Sequence, residues 1–190
     1  MANKKTNLIE IEVKNHKLVF GTLPDLFSPK NIDVGSKLLI DEIIKSDIVY
    51  KNALDWGCGW GYMAIFLAFS NPKSFVTAID SDIAAVKISQ DNKTLNHLKN
   101  LEIIPSYGYD GLGKNITYDL IVSHPPTHRG RQIVEDMISE SYNHLDKGGS
   151  LYLVVEARLK SWVARSLKQN FAEYKLVKRT SKHVVLRAKK

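Results

Sequence analysis

The stretch Leu54-Asp55-Trp56-Gly57-Cys58-Gly59-Trp60-Gly61 decides how the rest of the chain is read. Glycines at alternate positions let a backbone turn tightly and approach a ligand closely, because no Cβ intervenes. Residues 53–55 ahead of them form a short strand, and residues 61–70 behind them form a largely apolar helix. A strand that runs through a glycine loop into a helix is the opening unit of a ligand-binding α/β sheet.

Working outward, the alternation continues. Residues 75–80 read as a strand and 83–98 as a helix; 101–104 and 119–123 are strands, and 130–145 is a helix. Asp146-Lys147-Gly148-Gly149 is expected to stop that helix with glycine. Residues 151–155 are almost wholly apolar, as in a strand covered on both faces of a parallel sheet. A basic helix over 159–170 and strands over 174–178 and 184–187 close the chain. Upstream, 9–13 and 17–20 form a β-hairpin, 21–31 is a loop with three breakers, and 35–45 has helical spacing. The expected fold is an α/β sandwich around a central, mostly parallel sheet, with an N-terminal hairpin and lead-in loop (1–34) before one globular unit (35–190). Chemistry in such sheets sits beyond the carboxyl ends of the strands.

Composition narrows the classes. Of the 190 residues 44% are apolar and 25% charged, which is ordinary for a globular protein. The longest wholly apolar run, 63–69, is too short to cross a bilayer, and residues 1–7 lack the apolar stretch of a secretory signal. The single cysteine, Cys58, excludes an internal disulfide and a cysteine-cluster zinc site. His16, His97, His144 and His183 are scattered without metal-ligand spacing, so no metal is expected. These totals give a cytoplasmic, monomeric protein with no membrane contact. The charge is uneven: residues 1–150 hold 16 Lys/Arg against 18 Asp/Glu, and residues 151–190 hold 11 against 2. A basic segment of that kind suits either a polyanion such as RNA or a merely solvated face.

The acids around the loop choose the cofactor. Asp80 closes the next strand, 25 residues after Asp55, where an acid accepts hydrogen bonds from ribose hydroxyls. A nicotinamide or flavin loop needs G-x-G-x-x-G opening onto pyrophosphate. Here the third-glycine position is Tyr62, and Asp55 would repel pyrophosphate but hold an ammonium group. The combination favours S-adenosylmethionine, which carries an amino-acid end and no phosphate.

With Phe27-Ser28-Pro29 and Asp33-x-Gly35-Ser36 ahead of the loop, the chain resembles the small-domain class I methyltransferases, which include ribosomal RNA guanine-N2 methyltransferases and single-domain archaeal relatives. The resemblance runs from about residue 20 to residue 188. It implies a seven-stranded sheet whose last strand is antiparallel. It also implies that Asp55, Gly57 and Gly59 contact the methionine part, that Asp80 contacts the ribose, and that Ser36 lines the pocket. Where the family places Asp or Asn near the adenine amine, this chain offers Tyr107.

Ser123-His124-Pro125-Pro126-Thr127-His128-Arg129 resembles the family's N-P-P-[FY] sequence for methyl transfer to an exocyclic or amide nitrogen. Such a nitrogen is a poor nucleophile, and acceptors must fix its hydrogens so that its lone pair faces the methyl carbon. The family uses the Asn oxygen and the first Pro carbonyl, and stacks the base on the aromatic. Here His124 and Pro125 are the catalytic candidates, and Pro126, Thr127, His128 and Arg129 the substrate-binding ones. A neutral histidine keeps one acceptor nitrogen, and a protonated one has none. Three functions stay open: an N-methyltransferase acting on RNA through the basic C-terminal segment, one acting on protein glutamine, and a noncatalytic RNA-binding descendant.

Overall fold

The computed structural model describes residues 7–13, 15–113 and 115–190. The part of the hairpin unit and of the signal reading that falls on residues 1–6 lies outside them, as do Lys14 and Lys114. Strands β1 (Asn7–Val13) and β2 (His16–Thr22) pair antiparallel as the expected hairpin. Helix α1 (Val34–Lys45) follows the loop, and then β3 (Asn52–Trp56), α2 (Tyr62–Ser70), β4 (Phe75–Asp80), α3 (Ile83–Leu95), β5 (Leu101–Pro105) and β6 (Tyr118–Ser123). The chain ends with α4 (Arg131–Asn143), β7 (Leu145–Glu156), α5 (Lys160–Asn170), β8 (Glu173–Arg179) and β9 (His183–Lys189).

Seven strands form one sheet in the order β5-β4-β3-β6-β7-β9-β8. All run parallel except β9, which pairs antiparallel with β7 on one side and β8 on the other. The chain builds outward from β3 through β4 to β5, then returns to lay β6 on the other side of β3. That reversal is a topological switch point, and it opens a crevice beyond the carboxyl ends of β3 and β6. The period-two alternation of the strands feeds two cores. Ala53, Val76, Val122, Tyr152 and Val154 face one layer, with α1, α2, α3 and the hairpin; Leu54, Ile79, Ile121, Leu151 and Leu153 face the other, with α4 and α5.

Two boundaries differ most from the sequence reading. The third helix ends at Leu95 rather than residue 98, because His97 adopts φ 54° and the Asn96 side chain turns to pair with the Val19 backbone. The fourth ends at Asn143, and residues 145–150 are strand, not a glycine stop. A Cβ on Gly149 would lie 2.9 Å from the Tyr118 carbonyl oxygen, so glycine there lets β6 lie against β7. The backbone of Gly148 and Gly149 pairs with Lys190.

Asn92 of α3 fastens the hairpin to the glycine loop. Its Nδ2 donates to the Gly21 carbonyl (2.9 Å) and the Trp60 carbonyl (2.8 Å), and its Oδ1 accepts from the Gly21 N–H (2.6 Å). The residue is 1% exposed. Asn92→Ala leaves these buried backbone groups unpaired and is expected to cost about 3 kcal/mol in urea unfolding. A loss under about 0.5 kcal/mol would show that the hairpin is not held this way.

Candidate active site

The carboxyl ends of β3 to β7 and the start of β9 surround one cavity of about 790 Å³. Its floor is the glycine loop. The Gly57 and Cys58 N–H groups both donate to the Ile79 carbonyl (2.9 and 3.0 Å), and the Gly59 N–H donates to Asp80 Oδ2 (2.8 Å). Gly57 and Gly59 have φ of 76° and 56°, conformations that side chains strain to adopt. A Cβ on either would project into open space, so bare backbone faces the volume a ligand needs. Gly61 has the opposite duty: a Cβ there would collide with the Ser89 hydroxyl and push the loop off α3. Asp80 Oδ1 accepts from the Asp82 N–H (2.9 Å), and Asp82 caps α3. Both Asp80 oxygens retain a lone pair for a further donor.

Asp55 stands behind this floor rather than in the cavity wall. It is fully buried; Oδ2 accepts from the Ala64 N–H in the first turn of α2 (2.9 Å), and Oδ1 has no partner. Burial, with the charge of Asp80 adding to it, overrides the Ala64 hydrogen bond and pushes the carboxyl up to about 8. Burial therefore favours the protonated, neutral form of Asp55. Tyr107 lies on the wall, 74% exposed, in a loop after β5 shaped by the Ser106 hydroxyl, which donates to Gly108 and accepts from Gly111.

The opposite wall carries His124. Its Nδ1 is 2.9 Å from Asp33 Oδ1 and 3.2 Å from the Ser36 hydroxyl, so Ser36 belongs to the His124 side of the cavity. Asp33 caps α1 through the Ser36 N–H (2.7 Å). Burial acts to raise the Asp33 carboxyl, but hydrogen bonds from His124 and Ser36 and the charge of His124 prevail and hold it at about 2. Phe27 and His183 stand edge-on to the His124 ring, with centroids at 5.4 and 6.0 Å. The Pro125 carbonyl already accepts from the Thr127 N–H (2.8 Å), and the Pro126 carbonyl accepts from Arg129 (2.9 Å). Thr127 to Arg129 form a single 3-10 turn, and the Arg129 guanidinium reaches the Ser81 hydroxyl (3.4 Å).

Asp33, Phe27, His183 and Asp110 are cavity residues that the sequence reading did not assign to the site. Asp33 and Phe27 were visible only as parts of the lead-in motifs. His183 carried no signal, because it arrives on an antiparallel strand from the far end of the chain. The lining holds Asp25, Asp33, Asp80, Asp82, Asp110, Asp136, Glu140 and Glu156 against one Lys/Arg residue, Arg129. Burial, and then Asp110 and Asp136, raise the Glu140 carboxyl. That charge fits a cationic sulfonium and ammonium ligand and opposes pyrophosphate. Among the described residues no cluster of three or more His, Cys, Asp or Glu could hold a metal ion, and no helix is long and apolar enough to cross a membrane.

Known proteins match the chain in sequence and in fold. The family model described as Methyltransferase small domain matches residues 17–187. The uncharacterized protein YbxB of Bacillus subtilis (strain 168) is 28% identical over the whole chain, which covers 93% of that protein. Ribosomal RNA small subunit methyltransferase C of Buchnera aphidicola subsp. Acyrthosiphon pisum is 35% identical over 90% of this chain and 50% of its own length. The chain spans about half the length of the ribosomal RNA methyltransferases it matches. The fold superposes on the Thermus thermophilus 16S rRNA N2 G1207 methyltransferase (RsmC), solved with AdoMet and guanosine, with a TM-score of 0.88 at 24% identity. That superposition covers 97% of this chain and 50% of the other.

The raised Asp55 carboxyl has a measurable consequence. Between its ordinary range near 3.8 and about 8, the folded protein keeps a proton that the unfolded chain has released. Stability is thus fully present below the lower value and declines as pH rises through the upper one. Thermal melts from pH 5 to 9 should show that decline, and Asp55→Asn should flatten it. An equally steep profile in the variant would remove Asp55 as its source.

Proposed function

The chain belongs to the methyltransferase small-domain family, and on that premise we propose that it methylates an exocyclic amino nitrogen of an RNA base, with guanine N2 of ribosomal RNA the family-level target. The observation that carries the reading is a single acidic cavity with bare glycine backbone and Asp80 on one side and His124 on the other. When bound, S-adenosylmethionine supplies an activated methyl group on a sulfonium. Gly57, Gly59 and Asp80 would hold its amino-acid and ribose parts, Asp55 would keep the loop in register from behind, and Tyr107 would flank the adenine. Two relatives, of which the chain spans about half, are named as ribosomal RNA small subunit methyltransferase C, which supports the choice of substrate class.

The chain's own residues then position the acceptor. His124 Nε2 makes no hydrogen bond with a described residue, and the Pro125 carbonyl keeps one lone pair beside its bond to Thr127. Together they accept the two amino hydrogens and aim the nitrogen lone pair. Thr127 has no aromatic face to offer a base. Phe27, 62% exposed and edge-on to His124, supplies one, and its carbonyl is fixed by the Trp60 indole N–H (3.1 Å). His128 and Arg129, both exposed on the turn, border the base.

The basic C-terminal segment serves the RNA backbone. Arg158 and Lys160 follow β7, and Arg179 and Lys182 flank the β8–β9 turn, all at the cavity end of the sheet. Arg187 is committed elsewhere, since its guanidinium lies over the Tyr152 ring and its Nε is buried. Phosphates held on that rim position the strand while the base enters the acidic cavity. The protein acts as a monomer in the cytoplasm on this reading.

A tritiated-methyl assay on bulk RNA and on total protein, followed by nucleoside analysis, tests it. Label is expected in RNA as a base N-methyl. Label in protein alone overturns the substrate class, and cofactor binding without any label means a noncatalytic descendant. His124→Ala is expected to lower kcat about 100-fold. Phe27→Ala is expected to raise KM for RNA about tenfold through lost stacking. Undiminished transfer by His124→Ala ends its assignment.

A further inference from the structure

We infer that Asp33 is a positioning residue that makes His124 a proton acceptor, so that the two form a dyad which removes the proton the methylated nitrogen must lose. This rests on the function proposed above. The geometry is explicit. An ionised carboxylate only accepts, so the 2.9 Å contact between Asp33 Oδ1 and His124 Nδ1 places the ring proton on Nδ1. In a neutral imidazole the lone pair is then on Nε2. The Ser36 hydroxyl, 3.1 Å from the same Oδ1, donates there as well and leaves the Nδ1–H in place.

The lead-in sequence Asp33-x-Gly35-Ser36 builds this arrangement. A Cβ on Gly35 would come within 2.9 Å of His124 Cε1 and 3.1 Å of His183 Cδ2, so glycine is what lets both rings settle on the start of α1. Phe27 and His183 stand perpendicular to the His124 ring and limit its rotation. The charged and titratable groups around it are Asp33 from α1, Glu156 at the end of β7, paired with Arg158, and His183 on β9, with His128 and Arg129 on its own loop. The Asp33 carboxyl, held at about 2, is ionised throughout the neutral range.

The proton step balances. Once the acceptor nitrogen carries its new methyl group it is cationic. One N–H bond breaks with its electron pair kept by nitrogen, and the Nε2 lone pair takes the proton. The positive charge that arrived with the methyl group thus passes to an imidazolium beside the Asp33 carboxylate, which later yields the proton to water.

The test uses the full chain labelled with nitrogen-15, without cofactor or RNA, at about pH 8, where a model imidazole is neutral. Long-range proton–nitrogen spectra, with His124→Gln to assign the ring, report the tautomer. Nδ1 should show a pyrrole-type shift and Nε2 a pyridine-type shift. Asp33→Ser keeps a helix cap but removes the carboxylate. It should release the ring to the Nε2–H tautomer or a mixture and lower kcat about 100-fold, with KM for S-adenosylmethionine unchanged. A wild-type ring protonated at Nε2, an unchanged tautomer in Asp33→Ser, or an unchanged kcat in that variant would overturn the dyad. Absence of methyl transfer to RNA by the wild type would instead count against the proposed function, and the tautomer spectra would still decide the dyad.

Discussion

Three backbone N–H groups in sequence, those of Gly57, Cys58 and Gly59, are taken by two acceptors at the end of the neighbouring strand, the Ile79 carbonyl and the Asp80 carboxylate. Everything at the cavity depends on that pinning. It fixes where β3 stops and where α2 begins, and it leaves the loop's open side bare. The Ala64 N–H on Asp55 holds the same turn from behind. On the other flank the Ser123 hydroxyl donates to the Trp56 carbonyl (2.8 Å), which ties the end of β6 to the end of β3 before the chain turns into His124. A loop that wandered by an ångström would misplace both halves of the site, and positioning is what this class of chemistry requires.

Charge is divided with similar economy. The cavity gathers eight carboxylates, whereas the C-terminal 40 residues hold 11 basic residues against two acidic ones. Electrostatic influence in solution fades over about 10 Å, so the acidic interior and the basic residues near its mouth, Arg158, Lys160, Arg179 and Lys182, act on different parts of a ligand. On the proposed function, a cationic methyl donor would be drawn inward, a phosphate backbone kept on the rim, and a neutral base would pass between them. Asp55 shows the limit of crowding acids. Buried, and with Asp80 near, its carboxyl is pushed toward the protonated form rather than toward a further charge.

Much of the fold was legible because strands and helices here obey their periods, and every expected strand and helix is present with its ends shifted by a few residues. The antiparallel last strand came from the family resemblance rather than from any pattern. The helix stop at Gly148 and Gly149 misled because glycine serves two purposes. It ends helices, but it also admits a neighbouring backbone, and the neighbour here was the Tyr118 carbonyl. The site divided in the same way. Glycines and acids at strand ends could be read locally, since their spacing along the chain is their spacing in the loop. Asp33 and His124 stand 91 positions apart, and no local pattern relates them. Asp55 was legible as an acid before the glycines, but whether it faced the ligand or the core depended on tertiary burial.

His124 illustrates how a departure from a family's sequence is compensated elsewhere. Asn brings an acceptor oxygen in any protonation state, whereas histidine brings one only if the correct nitrogen holds the proton. A free imidazole does not meet that condition reliably, and a ring that rotates meets it in the wrong place. On the proposed dyad, the condition is met by residues that already serve another purpose. Asp33 already caps α1, and its oxygen also accepts from the His124 Nδ1–H. Gly35 gives up a side chain on the first turn of a helix, which costs helix stability, and that vacancy is where two histidine rings fit. The motif that appeared to be a lead-in to the cofactor loop therefore acts on the other wall. On the proposed reading, the histidine is not a weakened asparagine but a different device, able to carry a proton away as well as to accept a hydrogen bond.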